Sequence, residues 1–364
     1  MRMPALAAIA ALSAAALPPA HAGGARSPAF AQALTPRPLE FPRDQGPHPD
    51  YRQEWWYLTG NLDSADGARF GFELTIFRFA LAPGIPTRGS PWRTRQIYLG
   101  HFAVTDVARR RFRFSVKRAR GALGLAGARA DPFRVWVGNW RFDRDAVQAA
   151  GNGYALSLTA QPLLAPVLNG ERGLSRKSGE PGNATYYYSV PRVAVQGTIV
   201  RDGRPLRVRG LAWLDREWGS GRLGPREIGW DWFGLQLGDG SSLMFYSLRD
   251  RGGAEDPYSA GTWIDPEGHS RPLSRGDVHI QVLGHWTDAQ GARYPSQWRL
   301  RVPSSGLDIT VRPVLADQEL VTSPRYWEGA VDLSGTRDGR PLAGRGYVEL
   351  TGYAGTTSGS AGIR

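Results

Sequence analysis

The segment LAWLDREWGSG, Leu211 to Gly221, sets Trp213, Asp215 and Glu217 at alternating positions. In an extended strand alternate side chains share a face, so the indole and both carboxyls point the same way, the carboxyls about 6–7 Å apart. Burial and a like neighbour both raise a carboxyl pKa, which would keep one of the two protonated near neutral pH. Such an acid among aromatic rings could hand its proton to an alkene or a leaving group, and ring faces would stabilise a cation formed there. Candidate walls are Trp230 and Trp232 in GWDWFGLQLGDG, and Tyr186, Tyr187 and Tyr188 in TYYYSV. His101 in YLGHFAVTD is either a core residue or a cavity-lining one. The other reading of the acids is structural, an ion pair at a strand end with Arg209, Arg216, Arg222 or Arg226.

Other chemistries lack their residues. There is no cysteine, which excludes disulfides and thiol catalysis. The six histidines form no H-x-H or HExxH pair, so neither a metal site nor a cofactor is expected. Serine-hydrolase elbows and phosphate-binding loops are absent. In HPDYRQEWWY, His48, Asp50 and Glu54 could ligate or exchange protons, but a closing role fits better. There Trp55 and Trp56 would plug a barrel end, with Glu54 or Arg78 tying down the incoming chain.

The elements that must hold these groups are strands. WWYLTGNL and RFGFELTIF flank the turn DSADG as a hairpin, with Phe70, Phe72, Leu74 and Ile76 on one face. The phrase DGRPLRVRG (Asp202–Gly210) returns as DGRPLAGRG (Asp338–Gly346), 136 residues on, as the same turn. Further echoes follow: WWYLTGNLDSADG with WDWFGLQLGDG, GHFAVTD with GHWTD, and YALSLTAQPLLA with LDITVRPVLA. The fold class is therefore all-β, two tandem antiparallel barrels over residues 36–218 and 219–355. Under the 136-residue offset Trp213 faces Glu349, Asp215 faces Thr351 and Glu217 faces Tyr353, so the paired acids belong to the first copy alone. Long loops are expected over 82–95, 121–132 and 163–181.

Residues 1–22 read as a secretory signal peptide: Arg2, an apolar run from Pro4 to Leu17, then Ala20-His21-Ala22. The expected location is periplasmic or secreted, with flexible segments over 23–35 and 356–364. The net charge of +12 is almost wholly arginine. Without a nucleic-acid motif, and with most arginines scattered singly along strands, nucleic acid is not an expected partner; transient contact with an anionic membrane surface is.

HPDYRQEWWYLTGNL, YLGHFAVTD, GLAWLDREWGS and GWDWFGLQLGDG together resemble the AttH/CrtC-like family, exported lipocalin-like proteins related to carotenoid 1,2-hydratases. The resemblance spans about Phe41 to Tyr353. It implies tandem lipocalin-like barrels around an apolar ligand, a lipid or isoprenoid, and a hydratase-like or hydrolytic reaction. It also implies that Asp215 is the general acid, with Glu217 tuning it or positioning water. Trp213 then stands where those hydratases carry a tyrosine, and Tyr186 and Tyr188 where they carry a histidine and a tryptophan. The alternative is a lipid carrier without chemistry.

Overall fold

The computed structural model describes residues 29–85, 89–221 and 227–354. The expected signal peptide, residues 23–28 of the expected flexible N-terminal segment and the expected tail lie outside them. Apart from three short 3-10 turns, every regular element among the described residues is a strand.

The first sheet begins with β1 (Gln53–Ser64), β2 (Arg69–Ala80), β3 (Gln96–Asp106) and β4 (Arg111–Arg120). Short strands follow: β5 (Ala126–Ala130), β6 (Phe133–Val137), β7 (Trp140–Asp143) and β8 (Ala146–Gly151). Then come β9 (Tyr154–Pro162), β10 (Val167–Leu168) and β11 (Leu174–Arg176). The long hairpin β12 (Ala184–Arg201) and β13 (Arg204–Gly219) completes it. The second sheet starts with β14 (Glu227–Leu237), β15 (Ser242–Asp250), β16 (Ala260–Ile264) and β17 (Ser270–Ser274). It continues through β18 (His279–Thr287), β19 (Arg293–Val302), β20 (Leu307–Pro313) and β21 (Glu319–Leu320). Its closing hairpin is β22 (Tyr326–Arg337) and β23 (Arg340–Thr351).

Strand order makes the repeat explicit. The first sheet runs β4-β3-β2-β1-β13-β12-β9-β8-β7-β6-β5, the second β17-β16-β15-β14-β23-β22-β20-β19-β18. Nine positions correspond one to one, all antiparallel, and each sheet curls into a nearly closed or half barrel. Both DG phrases turn β12 into β13 and β22 into β23 with Asp and Gly at positive φ: 49° and 80° at Asp202-Gly203, 49° and 74° at Asp338-Gly339. That is the two-residue turn whose twist suits a hairpin. One echo fails, since GHFAVTD lies in β3, whose counterpart is β16, whereas GHWTD lies in β18. Two of the expected loops carry strands, β5 in the second and β10 and β11 in the third; these are edge or flap segments held by their neighbours' hydrogen bonds.

Period two sorts each strand between two environments. Phe70, Phe72, Leu74 and Ile76 join Trp56, Leu58 and Trp218 in the first barrel's core. Phe233, Leu235, Trp298 and Val348 build the second. A third cluster with Tyr57, Tyr187, Trp213, Trp232 and Tyr347 lies between the barrels, where the outer faces of β2-β1-β13-β12 meet those of β15-β14-β23-β22. Residues 29–35, expected as flexible, pack instead: Ala33 is fully buried and the Ala31 amide donates to Asp50.

Candidate active site

The interface between the barrels encloses a cavity of about 330 Å³. Both copies wall it. β2 supplies Glu73, Thr75, Phe77 and Phe79, and β13 supplies Asp215 and Glu217. From the second copy come Trp230 and Trp232 on β14, Glu328 on β22 and Glu349 on β23. The face of Trp213, Asp215 and Glu217 therefore looks out of its own barrel towards the other, and Leu214, Arg216 and Trp218 take the inner side.

Asp215 is buried and hydrogen-bonded by three donors, two from β12 and one from its own strand β13. Oδ1 accepts from Ser189 Oγ at 2.5 Å and from the Trp213 indole N–H at 2.8 Å; Oδ2 accepts from Tyr187 Oη at 2.5 Å. A second tier aims these donors: Trp232 Nε1 donates to Tyr187 Oη (3.0 Å), and Asn169 Nδ2 donates to Ser189 Oγ (2.8 Å). Burial raises the Asp215 pKa to about 7 against the opposing pull of these donors, and the Glu217 charge adds to the rise. No arginine reaches it among the described residues. Arg216 lies on the opposite face and pairs with Glu54, which removes it from the ion-pair reading of the two acids. Glu217 does carry an ion pair, with Lys177 Nζ at 3.2 Å, and also accepts from Thr185. Burial disfavours the Lys177 charge, but Glu217 outweighs it and moves the pKa up.

Three more carboxyls share the cavity. Glu73 Oε1 accepts from Thr75 (2.8 Å) and Tyr326 (3.0 Å), and Glu328 Oε1 accepts from Tyr57 (2.8 Å). The other oxygen of each, Oε2, is buried with no protein partner. Burial pushes Glu73 up to about 7 and Glu328 well above the carboxylate range, the Glu73 charge adding to the rise of Glu328. Glu349, bonded by Trp230 Nε1 at 3.1 Å, rises to about 8, again chiefly by burial. The copies are thus less unlike than the sequence indicates: the position opposite Trp213 carries an acid that faces the same cavity.

The expected site residues divide. Asp215, Glu217, Trp230 and Trp232 line the cavity, and Trp213 stands directly behind Asp215, edge-on to Trp232 at 6.0 Å. His101 is one layer back, its Nδ1 2.6 Å from Tyr326 Oη and its ring edge-on to Phe77; burial lowers its pKa to about 4. Tyr186 and Tyr188 are corrections. They point into the first barrel, Tyr186 Oη donating to the Thr35 carbonyl and Tyr188 lining a separate cavity of about 560 Å³. The register of β12 against β13 pairs Tyr187 with Glu217 and Ser189 with Asp215, so of the candidate tyrosines Tyr187 reaches the acid, and its companions lie one residue beyond the two that the resemblance implies. Trp55 and Trp56 also part: Trp55 faces the cavity and Trp56 the barrel core. The tie at the barrel end holds, Glu54 gripping Arg78 and Arg216 while Arg78 Nη2 donates to the carbonyls of His48 and Tyr51.

Glu73, Glu328, Lys177 and Ser189 were not singled out from the sequence. Glu73 had a readable signal, since it and Thr75 alternate with the apolar core face and must point the other way. Lys177 and Glu328 had none: pairing of β11 with β12 places Lys177, and only the docking of the copies brings in Glu328.

The AttH-like family model matches residues 32–353. The chain belongs to the AttH-like family. The crystal structure of a putative AttH from Nitrosomonas europaea resembles it with a TM-score of 0.78 at 35% identity, covering 89% of this chain and 100% of that one. Kievitone hydratase from Nectria haematococca shares the fold with a TM-score of 0.66 at 17% identity, covering 89% of this chain and 96% of its own. The dehydratase asqC of Emericella nidulans is 23% identical over 240 residues, 59% of this chain and 63% of that protein. This AttH-like chain thus spans just under two thirds of the length of that curated relative.

Proposed function

We propose that this AttH-like protein holds an apolar, isoprenoid-type alkene between its barrels and adds water across the double bond, or removes water in reverse. The observation that carries the reading is Asp215: a buried acid with its pKa near neutrality, set in an aromatic cavity. Oδ1 is saturated by Ser189 and Trp213, whereas Oδ2 receives only Tyr187, so Oδ2 is the atom with room for a transferable proton. Transfer of that proton makes a C–H bond at one alkene carbon and leaves a tertiary cation at the other. Trp55, Phe77, Trp230 and Trp232 offer ring faces to it, each worth about 1–2 kcal/mol in a dry site. Water then forms the C–O bond, and its surplus proton goes to a carboxylate across the cavity. Glu73, whose pKa of about 7 leaves part of it ionised and whose Oε2 is unpartnered, suits that task. Proton return to Asp215 through solvent at the mouth completes the cycle.

The names of two similar proteins, a hydratase and a dehydratase, support water as the reactant, and the leader-like residues 1–22 support work outside the inner membrane. The test is turnover of prenylated and terpenoid alkenes in ¹⁸O-labelled water, read by mass spectrometry as label gained in the alcohol. Asp215→Asn should abolish the gain while native mass spectrometry still shows ligand bound. Unchanged turnover in that variant ends the hydratase reading, and bound ligand with no turnover in the parent protein leaves a carrier.

A further inference from the structure

Charge is distributed very unevenly along the chain. Between Thr75 and Ala130 there are twelve arginines and lysines against one acid, Asp106, a net +11 within 56 residues of a chain whose total is +12. The same region exposes its largest apolar side chains. Ile85 and Trp92 are 62% and 58% exposed on the turn between β2 and β3, and Leu123 and Leu125 are exposed on the turn after β4. These turns share one rim of the first barrel: β3 and β4 pair Ile97 with Arg120, and Arg120 Nη2 donates to the Trp92 carbonyl at 3.1 Å. Exposed Arg93, Arg118, Arg120 and Arg129 lie on these turns or on the strands β4 and β5 that adjoin them.

Leu123 is held at a φ of 51°, a region that a leucine side chain enters only at a cost. Its turn is not loose, because Trp136 Nε1 donates to the Gly124 carbonyl and the Gly138 amide to that of Leu125. The chain fixes an apolar side chain outward, in a strained conformation, where glycine would sit more easily. Nucleic acid would match the arginines but not the outward leucines, isoleucine and tryptophan. An anionic bilayer matches both, taking the rings and aliphatic tips into its interface and the guanidiniums at its head groups.

We propose that this rim is a docking surface for anionic phospholipid membranes. Phe79, two residues before the rim begins at Leu81, lines the cavity between the barrels, so docking would bring the cavity mouth to the bilayer. The inference goes beyond the hydratase reading and stands without it.

The experiment is flotation with vesicles of phosphatidylcholine alone or with about one-third phosphatidylglycerol. It uses the full chain and, in parallel, the chain begun at Gly23, which keeps every described residue. The expected result is binding to the anionic vesicles that weakens steeply with salt. Arg118→Gln and Arg120→Gln should each weaken it roughly fivefold, and Trp92→Ser by on the order of tenfold. Leu123→Gly is the sharpest variant, because it should raise the melting temperature and still lower vesicle affinity, which no folding defect can do. Leu283→Ser, an exposed leucine of the second sheet, should change nothing. Binding that ignores Trp92→Ser and Leu123→Gly, or equal binding to both vesicle types, overturns the proposal. So does duplex DNA that binds more tightly than the vesicles and loses affinity in the same arginine variants.

Discussion

Glu54 and Asp215 lie on neighbouring strands, both buried, and their chemistry is opposite. Glu54 faces the end of the first barrel. Burial opposes its charge, but Arg216, then Arg78 and His48, together hold its carboxyl well below the usual range. Asp215 faces the gap between barrels, meets hydroxyls and an indole but no guanidinium among the described residues, and rises to about 7. The cation next to it in sequence, Arg216, is carried away by the pleat of β13. Burial alone therefore decides nothing; which side of a strand the arginine takes decides whether a buried acid is a clamp or a proton donor.

The contrast is easiest to break at the clamp. Glu54→Gln strands two buried guanidiniums and should cost about 3–5 kcal/mol in denaturant unfolding. Asp215→Asn should stay within about 1 kcal/mol of the parent in the same measurement, as its hydrogen-bond donors are two hydroxyls and an indole rather than a cation. In turnover the order reverses: Asp215→Asn should lose on the order of a hundredfold or more, with substrate affinity retained.

Proton linkage sharpens the comparison further. Asp215, Glu73 and Glu349 have folded pKa values raised above their unfolded ones, to about 7, 7 and 8. The stability they contribute is complete below about pH 4 and lost as pH rises through 7–8. Glu54 is the reverse, its contribution present above about 4.5 and lost only in strong acid. Stability measured from pH 5 to pH 9 should therefore fall by about 3–4 kcal/mol for each of these acids, and by one acid's share less in Asp215→Asn or Glu349→Gln. A flat profile would show that the cavity acids are solvated. The smallest effect is the most local. Tyr187→Phe removes the one donor to Oδ2 and should move the alkaline limb of the pH–rate profile up by about half a unit, whereas Tyr186→Phe and Tyr188→Phe leave it in place.

The sequence carried the fold almost entirely, because hairpin turns and period-two faces are local. The repeat was legible for the same reason, and the echo that failed was a five-letter match unsupported by strand order. The site was half legible. Alternation correctly grouped Trp213, Asp215 and Glu217, yet it cannot say which of two faces turns inward: the first barrel has a cavity, but the acids face the other one, between the barrels. Of the three candidate tyrosines Tyr187 reaches the acid, whereas Tyr186 and Tyr188, the positions the resemblance picked out, are one residue off, which on a strand reverses the side chain. Glu328 and Lys177 were out of reach because non-local packing alone assembles them.

The crossing contacts have a reciprocity of their own. Tyr57 on β1 donates across to Glu328 on β22, and Trp232 on β14 donates back to Tyr187 on β12. Since β14 and β22 are the second copy's versions of β1 and β12, each copy grips its sibling with the same pair of strands. That is how a twofold dimer of single barrels would meet. Joining the copies in one polypeptide frees each wall of such a pocket to mutate without its twin, so a once symmetrical container can come to hold Asp215 on one side and Glu349 on the other.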